Sequence, residues 1–407
     1  MSILRNTNAN INQNELGFDA WGRNKMITDY SLFHGLFTFN IPPEMWIKYK
    51  NGAEDQTIAD TADFYSENGK GVINSNGGDN LLLSRRNARY QPNRGHLYSA
   101  SQLLPDPNAQ TIRRWGLFHE KDGVFFELDS GILYAVVRSS FSDFILDEDG
   151  AQMLDELGAK IEGTDSSPQE TRVAIDFGAI DLGKGNIYDI QMQWRGVGNI
   201  KFFINNELVH TFEFLGTLGQ LSISNPALPI AMQAINKGED ANIECGCCDV
   251  TSEGGKRETR FYQTVDSDEL SVSSNETPLI AFRIPSTYNG ELNTRDVVLT
   301  RISAFCDANA LLKVYYTRDV TAITATWSGV NNGFQEVAID GEVTAFDINK
   351  MRKLATRRIP ENGNIEIDNP DKQSGDFFLI HGDYILVTVK AKNNTSAGSI
   401  IEYSVEI

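Results

Sequence analysis

The stretch Asn186–Leu215, NIYDIQMQWRGVGNIKFFINNELVHTFEFL, decides the fold. Ile187, Asp189, Gln191 and Gln193 alternate with Tyr188, Ile190, Met192 and Trp194, so one face of a strand is apolar with period two. Arg195-Gly196-Val197-Gly198-Asn199 is a tight glycine turn. Ile200, Phe202 and Ile204 share the next face, and Asn205-Asn206 makes a second turn. Leu208, His210, Phe212 and Phe214 then share a face opposite Val209, Thr211 and Glu213. A meander of three strands is unstable alone and needs more strands or a second sheet against its apolar face.

The flanks supply them. TIRRWGLFHEKDGVFFELDSGILYAVVRSS, residues 111–140, reads as three strands with turns at Glu120–Gly123 and Asp129–Gly131. Upstream, Leu32–Ile41 with Phe33, Phe37 and Phe39 reads as a strand ended by Pro42-Pro43. Two strands flank Pro92–Gly95, and Asn76–Asp79 is a turn. Residues 143–185 form an acidic insertion in which DEDGAQMLDELG reads as one short helix, and RVAIDF, residues 172–177, as a strand. Residues 18–250 therefore predict an all-β sandwich of jelly-roll, lectin-like type. Residues 251–260, TSEGGKRETR, read as a linker, and residues 261–407 as a second, smaller β-sandwich. Residues 1–17 read as a polar, asparagine-rich extended arm with no apolar run of signal-peptide type.

Composition bounds the function. The 407 residues carry a formal charge of -19, which opposes binding of nucleic acid through its phosphates. No run of about 18 apolar residues is present, so no membrane span is expected. Cys245, Cys247, Cys248 and Cys306 are too few for a disulfide scaffold.

Catalytic and metal-binding patterns are weak. His34, His96, His119, His210 and His381 accompany no G-x-S-x-G nucleophile motif, and His210, in phase with Leu208 and Phe212, reads as a packing residue. ECGCC lacks the paired spacing of a zinc site. On a regular strand it puts Cys245 and Cys247 on one face and Cys248 on the other. The runs Asp147–Asp149 and Asp266–Glu269 do not fit a calcium loop. No catalytic residue, metal or cofactor is therefore expected. Among the aromatics, Trp115 and Trp194 fall in phase with core positions. Trp21, Phe33, Trp46 and Trp327 are the candidates for contact with a partner or a glycan.

RRWGLFHEKDGVFFELDSGILYAVVRSS and the opening stretch together resemble a β-sandwich module of bacteriophage virion proteins. Trp194, Gly196, Val197, Gly198, Phe202, Ile204, Val209, His210 and Phe212 carry the likeness. Gly123, Phe125, Phe126, Glu127, Leu133, Tyr134, Val137 and Arg138 extend it upstream. SRRNARYQPNRGHL and LSISNPALPIAMQAIN are similar to further strands of the module, and RKLATRRIP with the C-terminal strands to a domain often attached to it. The resemblance implies a structural, non-enzymatic component of a phage particle: a capsid decoration, a head fibre, or a neck, tail or baseplate piece. Other virion proteins and further copies of itself would be its partners. It would be made in the host cytoplasm and end in the virion. The alternative is a carbohydrate-binding protein that recognises a host surface glycan. A glycan-degrading enzyme is the third class, for which no acid and base pair stands out in the sequence.

Overall fold

The structure is a computed structural model. It describes residues 30–139, 168–253 and 260–406, apart from 44, 56–59, 91–93, 177, 179, 194–197, 214–222, 289–290, 294, 331–334, 340 and 369–376. The polar arm 1–17, Trp21, the expected helix of residues 147–158, Trp194 and most of the 251–260 linker lie outside the described residues. The chain divides into two compact units, Met1–Arg257 and Glu258–Ile407.

The first unit contains β1 (Tyr30–Leu36), β2 (Trp46–Lys50), β3 (Ala53–Asp55), β4 (Phe64–Glu67), β5 (Lys70–Asn74), β6 (Asp79–Ala88), β7 (His96–Leu103) and β8 (Thr111–Phe118). It continues with β9 (Gly123–Asp129), β10 (Ile132–Ser139), β11 (Gln169–Ala174), β12 (Asn186–Met192), β13 (Ile200–Ile204), β14 (Glu207–Phe212), β15 (Leu228–Asn236) and β16 (Asn242–Ser252). They form two eight-stranded antiparallel sheets. The first runs β14-β13-β12-β7-β16-β5-β4, with β1 beside β16, and the second runs β11-β10-β9-β8-β15-β6-β2-β3. This is the expected all-β sandwich.

Its core is the set of inward positions of both sheets. Tyr188, Ile190 and Met192 of β12 and Ile200, Phe202 and Ile204 of β13 are wholly buried, as the period-two reading requires. They meet Trp115 and Phe126 of the second sheet. Phe126 stacks with Trp115 at 5.7 Å and lies edge-on to Tyr188 and Phe202. Arg113 is also fully buried. Its guanidinium donates to the carbonyls of Pro105, Asp106 and Asn242, and burial lowers its pKa to about 10.

Two of the four register shifts in this unit overturn what alternation predicts for β14 and β16. In β14 the register against β13 shifts at Phe202/Phe203, so His210 stands opposite Phe202 on the inner side while Leu208 stands opposite Phe203 and is exposed. In β16 the register against β7 shifts between Cys245 and Cys247 at Gly246. Cys245 and Cys248 consequently face the core and Cys247 the solvent, in place of the strand-regular arrangement. Thr251 and Ser252, assigned to the linker by sequence, continue β16.

The second unit contains β17 (Arg260–Asp266), β18 (Leu270–Val272), β19 (Thr277–Arg283), β20 (Thr287–Tyr288), β21 (Glu291–Leu292), β22 (Asp296–Cys306), β23 (Ala310–Thr317) and β24 (Ile323–Ala325). It ends with β25 (Ser328–Val330), β26 (Gln335–Ile339), β27 (Val343–Phe346), β28 (Arg352–Ile359), β29 (Gly363–Asp368), β30 (Phe377–Leu379), β31 (Tyr384–Ala391) and β32 (Thr395–Glu406). One six-stranded sheet runs β17-β32-β22-β29, with β18 beside β32 and β30 beside β22. The other runs β25-β26-β19-β31-β23-β28. Phe282, Leu312, Val387 and Tyr403 lie in the core between them. Between β27 and β28 lies a 3-10 turn, Ile348–Lys350, capped by the Asp347 carboxylate.

Candidate functional site

The outer face of the second sheet of the first unit collects the charged side chains. Register aligns Tyr49, Leu81, Gln233, Arg114, Glu127, Tyr134 and Ala174 in one row across β2, β6, β15, β8, β9, β10 and β11. At about 4.8 Å between strands, such a row is roughly 30 Å long. The next row is Ile47, Leu83, Ala231, Gly116, Phe125, Val136 and Arg172. Phe118 and Arg138 follow beyond it.

Glu127 is the hub. It points away from the core, yet is only 1% exposed, because guanidinium groups cover it. Arg114 Nε donates to Glu127 Oε2 at 2.6 Å, and Arg172 Nη2 donates to Glu127 Oε1. Arg172 Nη2 also reaches Asp129 Oδ2 at 3.5 Å, so two carboxylates of one strand converge on one nitrogen. Lys237 Nζ donates to Asp129 Oδ1 at 2.8 Å. Burial raises the Asp129 carboxyl, but Lys237, Ser130 and Arg172 together outweigh it and hold the group below its ordinary value. On the next strands, Arg138 pairs with Glu170 at 2.8 Å and donates to the His119 carbonyl at 2.9 Å. Burial lowers the Arg138 pKa against the opposing pull of Glu170.

Beneath the charges lies a small aromatic cluster of Phe118, Phe125, Val136 and Ala231, all buried. Arg138 lies over the Phe125 ring at 4.9 Å, Arg114 over the same ring at 5.7 Å, and Arg172 over Tyr134 at 4.3 Å. Gln233 accepts from Arg114 Nη1 at 3.3 Å and donates to Asp79 at 2.8 Å, extending the network to β6. The result is a face of flat rings and planar hydrogen-bonding groups fixed by one another. Gly116 holds φ at +153, and a Cβ there would lie 2.6 Å from the Phe125 Cα, so only glycine lets β8 and β9 meet at this point.

The residues singled out in the sequence lie elsewhere. Phe33 and Trp46 are corrected from contact candidates to core residues. Their rings meet edge-on at 5.3 Å and both are buried, because β1 and β2 turn them into the space between the sheets. Trp327 is half-buried in the second unit, under Arg283 at 4.4 Å and edge-on to Tyr384 at 5.8 Å. Trp21 lies outside the described residues. His210 packs edge-on against Phe212 at 4.5 Å, and burial lowers its pKa. Among the described residues, no three His, Cys, Asp or Glu side chains group as metal ligands.

Sequence reading missed Arg114, Arg172 and Gln233, and took Glu127 and Tyr134 only as carriers of a family likeness. A signal exists: in TIRRWGLF and GVFFELD the residues alternating with Trp115 and Phe126 include Arg114, Glu127 and Asp129. What is absent from the sequence is the register that sets them side by side.

No protein-family model and no curated protein matches the chain. Among solved structures, the chain is similar to an endo-1,3-beta-glucanase from Streptomyces sioyaensis, with 12% identity and a TM-score of 0.40 over 56% of this chain and 97% of that one. It is similar to the laminarinase catalytic domain from Thermotoga maritima, with 11% identity and a TM-score of 0.37 over 56% and 99%. It is also similar to the alginate lyase AlyC3, with 12% identity and a TM-score of 0.31 over 52% and 91%. The expectation of a non-enzymatic structural component of a phage particle is corrected here. The neighbours are glucanases and a lyase, so neither that role nor the absence of enzymatic activity is carried forward.

Proposed function

We propose that the first unit engages a polysaccharide laid across the outer face of its second sheet. The carrying observation is the row Tyr49–Leu81–Gln233–Arg114–Glu127–Tyr134–Ala174, which crosses seven strands. Sugar rings take apolar contact from aromatic faces and paired hydrogen bonds from planar amide, guanidinium and carboxylate groups. This row presents both at the spacing of the strands. Arg114, Gln233 and Tyr134 of this row are held by the Glu127 network, Tyr134 through Arg172, before any ligand arrives, which reduces the entropy lost on binding.

Affinity electrophoresis through gels containing neutral and acidic polysaccharides tests the proposal. At least one polysaccharide should retard the chain, and Tyr134→Ala or Arg172→Ala should weaken that binding by about tenfold. Tyr262→Ala, at an exposed position of the second unit, should leave it unchanged. Retardation by no polysaccharide, or equal retardation of all variants, would overturn the reading. Measuring reducing-end release in parallel decides whether the bound chain is also cut.

A further inference from the structure

One side of the second unit carries two neighbouring sheet edges of opposite charge. β28 ends its sheet, pairing only with β23. Its sequence RKLATRRI exposes Arg352, Lys353, Arg357 and Arg358. Lys353, Arg357 and Arg358 have no carboxylate partner among the described residues. β29 ends the other sheet, along β22. It exposes Glu366 and Asp368, beside Glu361 of the preceding turn. Among the described residues Arg301 contacts Glu366, Asp368 and Glu402, one cation against three carboxylates, so this group keeps an excess of negative charge. The Pro360–Asn362 turn joins the two strands, which pack against each other, so both edges lie on one side. Between them lie Leu354, Ala355 and Ile365, only partly buried against the core.

We propose that this side is the interface of a two-fold symmetric dimer of the chain. A two-fold axis through the apolar seam sets the basic edge of each copy against the acidic edge of the other. Each contact is then made twice, as a closed homodimer interface demands. Charge complementarity selects a second copy over an unrelated partner, because both halves of the match are present on the same surface. In an acidic chain with a formal charge of -19, Lys353, Arg357 and Arg358 stand exposed on one strand with no carboxylate partner among the described residues. The cations also keep the open strand edges from pairing with other chains before the dimer forms.

Sedimentation velocity on the full chain, over a range of protein and salt concentration, tests this. The wild-type chain should dimerise, and more weakly as salt rises. Arg357→Glu with Arg358→Glu should weaken the dimer by about tenfold or more, and Glu366→Lys with Asp368→Lys should do the same. The four reversals combined should restore it, because self-complementarity is regained. Thermal melting checks that each variant is folded. A wild-type chain that stays monomeric at every concentration would overturn the inference. So would a dimer insensitive to either pair of reversals, or a fourfold variant that fails to recover.

Discussion

Glu127 concentrates the physics of the outer face. A carboxylate 1% exposed survives there because Arg114 and Arg172 each take one of its oxygens. Removing one partner of a buried pair leaves the others desolvated without compensation. Glu127→Gln should therefore cost about 3 kcal/mol of stability, read as a lower denaturant midpoint with an unchanged slope. His96 sets a second expectation. It is buried at the start of β7, and burial lowers its pKa to about 4, opposed by an approach to the Arg89 backbone. Between that value and the ordinary 6.5 the unfolded chain binds a proton that the folded chain refuses. Stability is thus full above the upper value and falls as pH drops toward the lower one, by up to about 3 kcal/mol in total. Denaturant titrations across this window should show the decline. Imidazole NMR should show His96 still neutral in the folded chain where exposed histidines are charged.

At the scale of strands, much of the fold was legible and the site was not. β12 and β13 appear in the sequence as period-two alternation because the inner face of each is buried and its outer face is not. The two bulges were not legible, since one extra residue leaves no mark on composition. Leu208 therefore faces solvent against expectation, and the ECGCC strand turns inside out after Gly246. That turn has a measurable result: a Cβ on Gly246 would lie 2.8 Å from Ser101 Oγ, and the strand places Cys247 alone among the four thiols at the surface. One equivalent of a maleimide should react quickly with the folded chain. Cys245, Cys248 and Cys306 should react only on unfolding. Fast labelling of more than one thiol would contradict the bulge. The row of Gln233, Arg114, Glu127 and Tyr134 was hidden for a different reason. Its members come from four strands spread between Arg114 and Gln233, and only cross-strand register makes them neighbours.

At the scale of the molecule, the chain builds two cores, each with its own buried polar anchor. In the first unit it is Arg113, tied to three carbonyls. In the second it is Asp383, wholly buried and accepting from Tyr316 Oη, Arg318 Nη1 and the Ile380 backbone. The partners named for each anchor belong to its own unit, so the stability costs of substituting Arg113 and Asp383 should add. The net negative charge suits this economy of contact: it keeps chains apart except where opposite edges match.

The indole of Trp327 beneath the Arg283 guanidinium has one more use. It is the only tryptophan of residues 258–407, whereas Trp21, Trp46, Trp115 and Trp194 all belong to the first unit. Emission from the second unit thus comes from a single fluorophore whose cationic neighbour departs on unfolding. Subtracting the melting curve of Trp327→Phe from that of the intact chain turns this ring into an optical thermometer for one half of the molecule.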